Sequence, residues 1–558
     1  METPASAWVA RPVQALLIRD LLNRVRHWAP DQTITYRDLR VLTYSEFLVR
    51  VRRLAALLTG LGVRPGDRIG VMDWDSHRYL ELFFAVPMLG AVLHTVNVKL
   101  SPEQTAYTID HAADSVVLVH PDFLPMAEAL APRLPGVRTW ITLSDDGTPP
   151  ATTLRSAGDY EALLEQSSDT FEFPDLDENT VATLFYTTGT TGEPKGVYFT
   201  HRQIVLHTLA AGLAFAIHNN PFSLQADDVY LPLTPMFHVH AWGFPFLATL
   251  LGVKQVYPGR FEPQRLIGLL AKHRATFSHC VPTVLQILLR HPESASVEWN
   301  RLKLAIGGAP LPRGLAEEAI RHGVKILGAY GMSETCPIVA ASHVKPPGSG
   351  PDEAMSDPVG VLTRTGFPIP LADAAIMGVD GSLLPPGREH IGELVLRCPW
   401  LAEGYLRDPE RSAQLWRGGW LHTGDIAYRD TDGYLRITDR LKDVIKIGGE
   451  WISTLELENA LSRHPAVQEV AVVGTPDPKW DERPHADIVL RPGTPDDVTP
   501  RALMKFLHEF IDAGTLHQRA VLTRIRFVTA IPRTSVGKID KKGIRAALAS
   551  AGATDVAQ

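Results

Sequence analysis

Tyr186-Thr-Thr-Gly-Thr-Thr-Gly-Glu-Pro-Lys-Gly196 follows at once on an apolar, strand-like run from Val181 to Phe185, and the reading of the fold turns on this junction. A strand that empties into hydroxyls and glycines makes a loop for phosphate. Gly189 and Gly192 let the backbone approach an anion closely, while successive N–H groups and the hydroxyls of Thr187, Thr188, Thr190 and Thr191 donate to phosphoryl oxygens. Lys195 adds a cation. It is followed by Gly196 where a Walker loop has Ser or Thr, and no glycine immediately precedes it, so a P-loop nucleotidase is disfavoured.

Upstream of the loop the chain alternates helices with strands. Thr43-Tyr-Ser-Glu46 reads as a capping box, and Phe47 to Leu58 carries apolar residues at helical spacing until Gly60 and Pro65-Gly66 break the pattern. Strand-like Arg68 to Met72, helical Tyr79 to Leu89, and strand-like Val92 to Val96 and Ser115 to His120 follow. This is the pattern of a doubly wound α/β unit with a parallel sheet. Residues 144–153 and 343–358, rich in Ser, Asp, Gly and Pro, read as exposed loops.

Downstream, Asp432-Gly433 reads as a turn and Asp439-Arg-Leu-Lys-Asp443 is charged at four of its five positions, which puts a boundary between Gly433 and Gly449. The expected units are residues 1–440 and 441–558. Past the boundary the pattern restarts: Leu455 to Leu461 helical, Val467 to Val473 and Ala486 to Leu490 strands, and a helix opened by Thr499-Pro500 running through Phe510. A small α+β domain is expected there.

Composition excludes several classes. The 558 residues, 45% apolar and 21% charged with a formal net charge of −7, have no global basic footprint for nucleic acid. Cys280, Cys336 and Cys398 are too scattered for a disulfide framework or a zinc cluster, so reduced thiols and a cytoplasmic location are expected. Charges interrupt Leu17-Ile-Arg-Asp-Leu-Leu-Asn-Arg24, which speaks against a signal peptide, and no run approaches the ~18 apolar residues of a spanning helix. His238-Val-His240 has no further ligands at metal-binding spacing.

Four more stretches follow the loop in order: Tyr330-Gly-Met-Ser-Glu-Thr335, Trp420-Leu-His-Thr-Gly-Asp425, Asp439-Arg-Leu-Lys-Asp-Val-Ile-Lys-Ile-Gly-Gly-Glu450 and Pro532-Arg-Thr-Ser-Val-Gly-Lys538. The series resembles the signature motifs of the adenylate-forming superfamily. Pro235-Met-Phe-His-Val-His-Ala-Trp242, the run ending at Ser453, and Pro478-Lys-Trp-Asp-Glu-Arg-Pro484 are similar to bacterial medium- and long-chain fatty acyl-CoA synthetases.

The resemblance implies a large N-terminal α/β domain of several subdomains and a small, mobile α+β domain joined by a hinge at Lys442. It implies ATP, Mg²⁺ and coenzyme A. The loop from Thr187 to Lys195 would cradle the β- and γ-phosphates, and Glu334, with Thr187, would hold the metal. Gly308, Ala309, Pro310 and Tyr330 would wall the adenine, with Gly331, Met332 and Ser333 beside them. Ser333 stands where the family usually has Thr. Asp425 would take the ribose hydroxyls, and Arg440 would be the second ribose contact. Lys538 would bridge the attacking carboxylate and the α-phosphate. Lys446, Gly448, Gly449 and Glu450 would face the site during thiol transfer.

His238, Trp242 and Gly331 would line the acyl site. Amino-acid-activating relatives carry Asp where His238 stands, so an acid without an α-amine is expected. The resulting reading is an ATP-dependent acyl-CoA synthetase for a medium or long alkyl acid, with AMP and pyrophosphate as products. The alternatives are a ligase that loads a carrier protein, and an inactive nucleotide-binding protein. Relatives often dimerise, so a homodimer is the expectation the resemblance carries.

Overall fold

The computed structural model of the chain describes residues 14–187, 193–216, 222–345, 357–378, 380–447, 450–495, 497–514, 516, 518–522, 524–533 and 539–555. Two large sheets carry most of it. The first runs Ser156–Asp159, Thr139–Thr142, Asp114–Val119, Arg68–Met72, Val92–Thr95, Val181–Thr187 and Lys195–Thr200, in that spatial order. Its strands are parallel except the last pair, an antiparallel hairpin in which Thr187 faces Lys195. Thr187 and Lys195, which flank the glycine-rich stretch in sequence, are therefore cross-strand neighbours.

The second sheet has nine strands, with Lys303–Ile306, Phe277–Cys280 and Val229–Tyr230 parallel at its centre and antiparallel strands at both ends. The alternating pattern led to one doubly wound unit; there are two such sheets. Helix His77–Met88 is buried along its whole length, and Phe83 stacks on Phe246 at 5.3 Å. Its apolar residues join the main core, and its buried charges are paired, Glu81 with Arg50 and Arg78 with Asp145. The capping box at Thr43 is present: its side chain accepts from the N–H of Glu46 and opens helix Tyr44–Gly60.

A third sheet, antiparallel throughout, is made by Asp373–Met377, Gly392–Arg397, Trp420–Arg429, Trp416–Arg417 and Leu435–Arg440. Sequence reasoning assigned no sheet here. Register shifts in Gly392–Arg397 and Trp420–Arg429 disturb the period-2 signal that marks a strand.

The remaining sheet has its own core. Ile445–Ile447, Glu450–Ile452, Asp481–Leu490, Val467–Asp477 and Arg524–Phe527 bury Ile445, Val472 and Ile488 against Leu457, Leu503 and Leu507. Helices Thr454–Ser462 and Pro500–Asp512 supply these leucines, and Thr499 caps the second by accepting from the N–H of Ala502. Strands Val467–Asp477 and Asp481–Leu490 extend beyond the expected runs because they pair along their whole length as a hairpin.

The charged run at 439–443 is not an open linker. Asp439 is buried and accepts from the N–H of Thr454 at 2.5 Å and its hydroxyl at 2.7 Å. Asp443 is buried too and pairs with Arg545 at 2.7 Å.

Candidate active site

Two clusters converge from the motif-bearing strands. In the first, Asp425 on strand Trp420–Arg429 faces Arg440 on the neighbouring strand Leu435–Arg440. Asp425 Oδ2 accepts from the Tyr330 hydroxyl at 2.6 Å, and Oδ1 lies 3.2 Å from Arg440 Nε. The carboxylate of Asp425 is almost wholly buried. Its charge raises the pKa of Arg440, and burial followed by that same charge pushes Tyr330 well above the usual phenol range. Tyr330 is therefore a neutral donor, and the pair fixes the carboxylate with one edge toward each partner.

The turn before Asp425 is built for it. Gly424 has φ +70°, a left-handed angle that glycine takes without strain, and its N–H donates to Glu393 Oε1 at 2.9 Å. Thr423 anchors the same turn, its hydroxyl donating to Leu394 O at 2.6 Å and accepting from the N–H of Asp425 at 3.1 Å.

In the second cluster Glu334, in the short helix Ser333–Thr335, is buried and accepts from the Tyr405 hydroxyl at 2.6 Å through Oε1. Lys195 Nζ donates to the same hydroxyl at 3.1 Å and stands 4.2 Å over the Tyr405 ring. Lys195 and Glu334, distant in the chain, are thus joined through one phenol. Burial, followed by the Glu334 charge, raises the pKa of Tyr405, which keeps it protonated. Thr187, which faces Lys195 across the strand pair, has a buried hydroxyl oxygen with no hydrogen-bond partner among the described residues. An orphaned hydroxyl in a site of this kind awaits a ligand.

Gly331 ends strand Lys325–Gly331 where no side chain fits: a Cβ there would lie 1.7 Å from Pro337 O. Met332 and Ser333 follow it, the Met332 N–H donating to Thr335 Oγ1 at 2.9 Å. Gly308 turns at φ +74°, with Ala309 and Pro310 exposed after it. Just before the turn, a Cβ on Gly307 would lie 3.3 Å from the Trp242 ring, which itself packs on His279 at 5.2 Å. Trp242 is buried.

His238 precedes a left-handed turn. Val239, His240, Ala241 and Trp242 have φ of 48°, 56°, 47° and 61°, a conformation costing roughly 1–2 kcal/mol per residue. Packing holds it: His240 is fully buried with Nε2 2.8 Å from Thr183 Oγ1, and burial lowers its pKa to about 3. The turn is also tied from outside the motif. Asp75 Oδ1 accepts from the Met236 N–H at 2.7 Å, and the Thr95 hydroxyl donates to Phe237 O at 3.0 Å.

On the small-domain side, Lys442 lies exposed in the turn after Arg440, its carbonyl accepting from Arg545 at 3.5 Å. Lys446 is exposed on strand Ile445–Ile447, and its N–H donates to Glu482 Oε2 at 2.9 Å. Thr188, Gly189, Thr190, Thr191, Gly192, Gly448, Gly449 and Lys538 lie outside the described residues, as does the side chain of Glu450. The thiols offer no nucleophile. Burial raises the pKa of Cys280, Cys336 and Cys398, the last to about 12. Among the described residues there is no cluster of three or more His, Cys, Asp or Glu to hold a metal, and no helix is long and apolar enough to cross a membrane.

Sequence reasoning missed Tyr405 and Asp75. Neither stands in a motif, and only the fold brings them to Glu334 and Met236.

Comparison with known proteins agrees with this arrangement. A long-chain-fatty-acid–CoA ligase of Thermus thermophilus is 41% identical over 507 residues, covering 90% of this chain and 89% of the relative. A medium-chain-fatty-acid–CoA ligase of Ectopseudomonas oleovorans is 34% identical over 511 residues, with 90% of each chain covered. The anthranilate CoA ligase AuaEII, solved with anthranoyl-AMP, superposes with a TM-score of 0.83 at 25% identity over 96% of this chain and 98% of that one. The family described as AMP-binding enzyme matches residues 23–406, and its C-terminal domain matches residues 456–538. The chain therefore belongs to the AMP-binding enzyme family, the adenylate-forming ligases that its motif series resembles.

Proposed function

We propose that the chain is an ATP-dependent acyl-CoA ligase for medium- or long-chain fatty acids or similar hydrophobic acids, working through an acyl-adenylate. The observation that carries it is the meeting of the two clusters, one suited to a ribose and the other to phosphate and metal. The match to fatty-acid–CoA ligases over 90% of the chain supports the substrate class.

Asp425 offers a short, buried carboxylate already oriented by Tyr330 and Arg440, the right acceptor for a diol. Glu334 fits Mg²⁺, a hard cation usually held by one or two protein carboxylates and by substrate phosphates. The absence of a multi-ligand cluster among the described residues agrees with that pattern. When bound, the metal neutralises charge on the phosphates. Lys195 and the orphaned Thr187 hydroxyl would take phosphoryl oxygens. In the first half-reaction an oxygen of the carboxylate bonds to the α-phosphorus and the bond to the bridging oxygen of pyrophosphate breaks. Catalysis is then largely positioning and charge neutralisation. Lys538 is assigned the bridge between the two reacting anions on the strength of its motif.

The second half-reaction joins the CoA thiol to the acyl carbon and releases AMP. We assign Lys442 the hinge, with Lys446 and Gly448-Gly449-Glu450 turned toward the site after rotation. His238 and Trp242, presented by the left-handed turn, are assigned to the acyl pocket.

Mass spectrometry of the products from a broad acid panel with ATP, Mg²⁺ and CoA tests the reading. Acyl-CoA, AMP and pyrophosphate are expected. Acyl-adenylate that accumulates without thioester would move the assignment to a carrier-protein ligase.

A further inference from the structure

The strained turn that presents His238 and Trp242 is held near its start by a residue that follows a strand of the other large sheet. A pocket opens beyond the carboxyl ends of four strands, Arg68–Met72 and Val92–Thr95 of the first sheet and Val229–Tyr230 and Lys254–Tyr257 of the second. Trp74, Asp75, Lys99, Pro235, Phe237 and Phe261 line it. In open α/β sheets, ligands gather at this edge.

Asp75 is buried there and fixed on both sides along the backbone. Its carbonyl accepts from the Gly259 N–H at 2.8 Å, and the next residue, Ser76, caps the buried helix His77–Met88 by accepting from the N–H of Tyr79 at 3.1 Å. From this anchored position the carboxylate reaches the Met236 N–H at 2.7 Å. Met236 lies inside a tight turn that the His238 N–H closes by donating to Pro235 O at 3.0 Å. A shift of the Met236 peptide therefore passes directly to His238, and along the left-handed run to Trp242.

We propose that Asp75 is a positioning residue for the acid substrate, fixing this turn so that His238 and Trp242 meet the acyl group in one geometry. The proposal rests on the acyl-pocket assignment made above for those two residues. A carboxylate is a stronger acceptor than a neutral carbonyl, so the hold depends on the proton as well as on the shape. Burial pushes the Asp75 carboxyl up to about 7, against the Met236 N–H; the Asp73 charge adds to the rise and Lys99 opposes it. Asp73 is itself engaged by the Ser76 hydroxyl at 2.6 Å and lies 3.5 Å from Arg78 Nε. Burial holds the phenols of Tyr79, Tyr230 and Tyr257, which also feel the Asp75 charge, well above their usual range and neutral. Asp75 thus changes charge near neutral pH and weakens as an acceptor below it.

The experiment measures kcat, KM for a medium-chain acid and KM for ATP at saturating Mg²⁺ in the full chain, for the parent, Asp75→Asn and Asp75→Leu. In the parent, KM for the acid should rise roughly fivefold from about pH 8 to about pH 6, as follows when the neutral form of a group titrating near ~7 binds the acid about tenfold more weakly. KM for ATP and kcat should each stay within about threefold. Asp75→Asn keeps an oxygen for the Met236 N–H and has no proton to lose, so its KM for the acid should be flat with pH and match the parent's value at about pH 6. Asp75→Leu leaves that N–H without its acceptor and should raise KM for the acid at least about tenfold at about pH 8. If the leucine variant melts early, the asparagine profile decides alone. A pH slope that survives in Asp75→Asn belongs to another group and overturns the proposal. So does a rise in KM for ATP parallel to that for the acid, the mark of a general structural loss. Trp242→Ala is the internal control: if it leaves KM for the acid unchanged, the acyl-pocket assignment fails first and Asp75 loses this role with it.

Discussion

Tyr405→Phe is the most informative single change, because one hydroxyl joins Lys195 to Glu334, the residues proposed to take phosphate and metal. The phenol donates to Glu334 at 2.6 Å and accepts from Lys195 at 3.1 Å, both charged partners. The ring stays in the variant, so the Lys195 cation remains stacked at its 4.2 Å distance. What is lost is a donor to a buried carboxylate. Hydrogen bonds to charged groups contribute about 1.5–3 kcal/mol, and a value near ~2 kcal/mol suits this one because Glu334 is buried and solvent replaces the donor poorly. At ~1.36 kcal/mol per decade, that is roughly a 30-fold fall in the adenylation rate. The raised pKa of Tyr405 keeps the hydroxyl protonated at working pH, so the loss should not depend on pH between about 6 and 9.

The assay is pyrophosphate release at saturating acid and ATP, with Mg²⁺ titrated in both proteins. The rate should fall about 30-fold, and the Mg²⁺ concentration for half-maximal activity should shift, because Glu334 is left unoriented. A rate within about threefold of the parent would refute this role of the hydroxyl.

Three other outcomes follow from the same geometry. Asp425→Ala strands the Tyr330 hydroxyl and Arg440 at once and should raise KM for ATP at least about tenfold with little effect on KM for the acid, as steady-state kinetics will show. Lys442→Pro fixes φ in the turn after Arg440; adenylate formation should persist while CoA transfer fails, and equal loss of both in a folded variant would take Lys442 out of the hinge. The third concerns acid. His201, His207, His240 and His279 are buried, and desolvation lowers their pKa values to about 4 for His201 and about 3 for the others. In the unfolded chain they titrate near ~6.5, so below that pH the unfolded state binds more protons and stability falls as pH drops toward ~4. At about pH 5.5 each costs about 1.4 kcal/mol relative to about pH 8, and urea titrations at the two pH values should differ accordingly. His240→Gln should flatten the difference by one such step.

Local signals were legible in the sequence and long-range ones were not. The capping residues Thr43 and Thr499 announce their helices because the hydrogen bonds they accept span three residues. The meeting of Thr187 with Lys195 was not legible, since it comes from strand pairing. Tyr405 reaches Glu334 across 71 positions, and Tyr330 reaches Asp425 across 95. Both residues of the second link stand in motifs, yet their contact was not foreseen; Tyr405 stands in none. Asp439 shows the opposite failure. A run of four charges reads as solvated chain, but the folded backbone places the N-terminus of helix Thr454–Ser462 against this carboxylate, which is buried as a result. Burial raises its pKa, with Lys541 opposing the shift. The antiparallel sheet between residues 373 and 440 escaped notice because its strands shift register, which erases the alternation on which sequence reading depends.

The central claim is that a carboxylate oxygen attacks the α-phosphorus of ATP, and oxygen labelling tests it most directly. A hydrophobic acid carrying ¹⁸O in both carboxylate oxygens is turned over with ATP, Mg²⁺ and CoA, and the products are weighed by mass spectrometry. One labelled oxygen should appear in AMP and none in pyrophosphate, because the oxygen that bonded to phosphorus stays there when the thiol attacks the acyl carbon. Label in phosphate accompanied by ADP, or acyl-CoA formed with unlabelled AMP, would contradict the account.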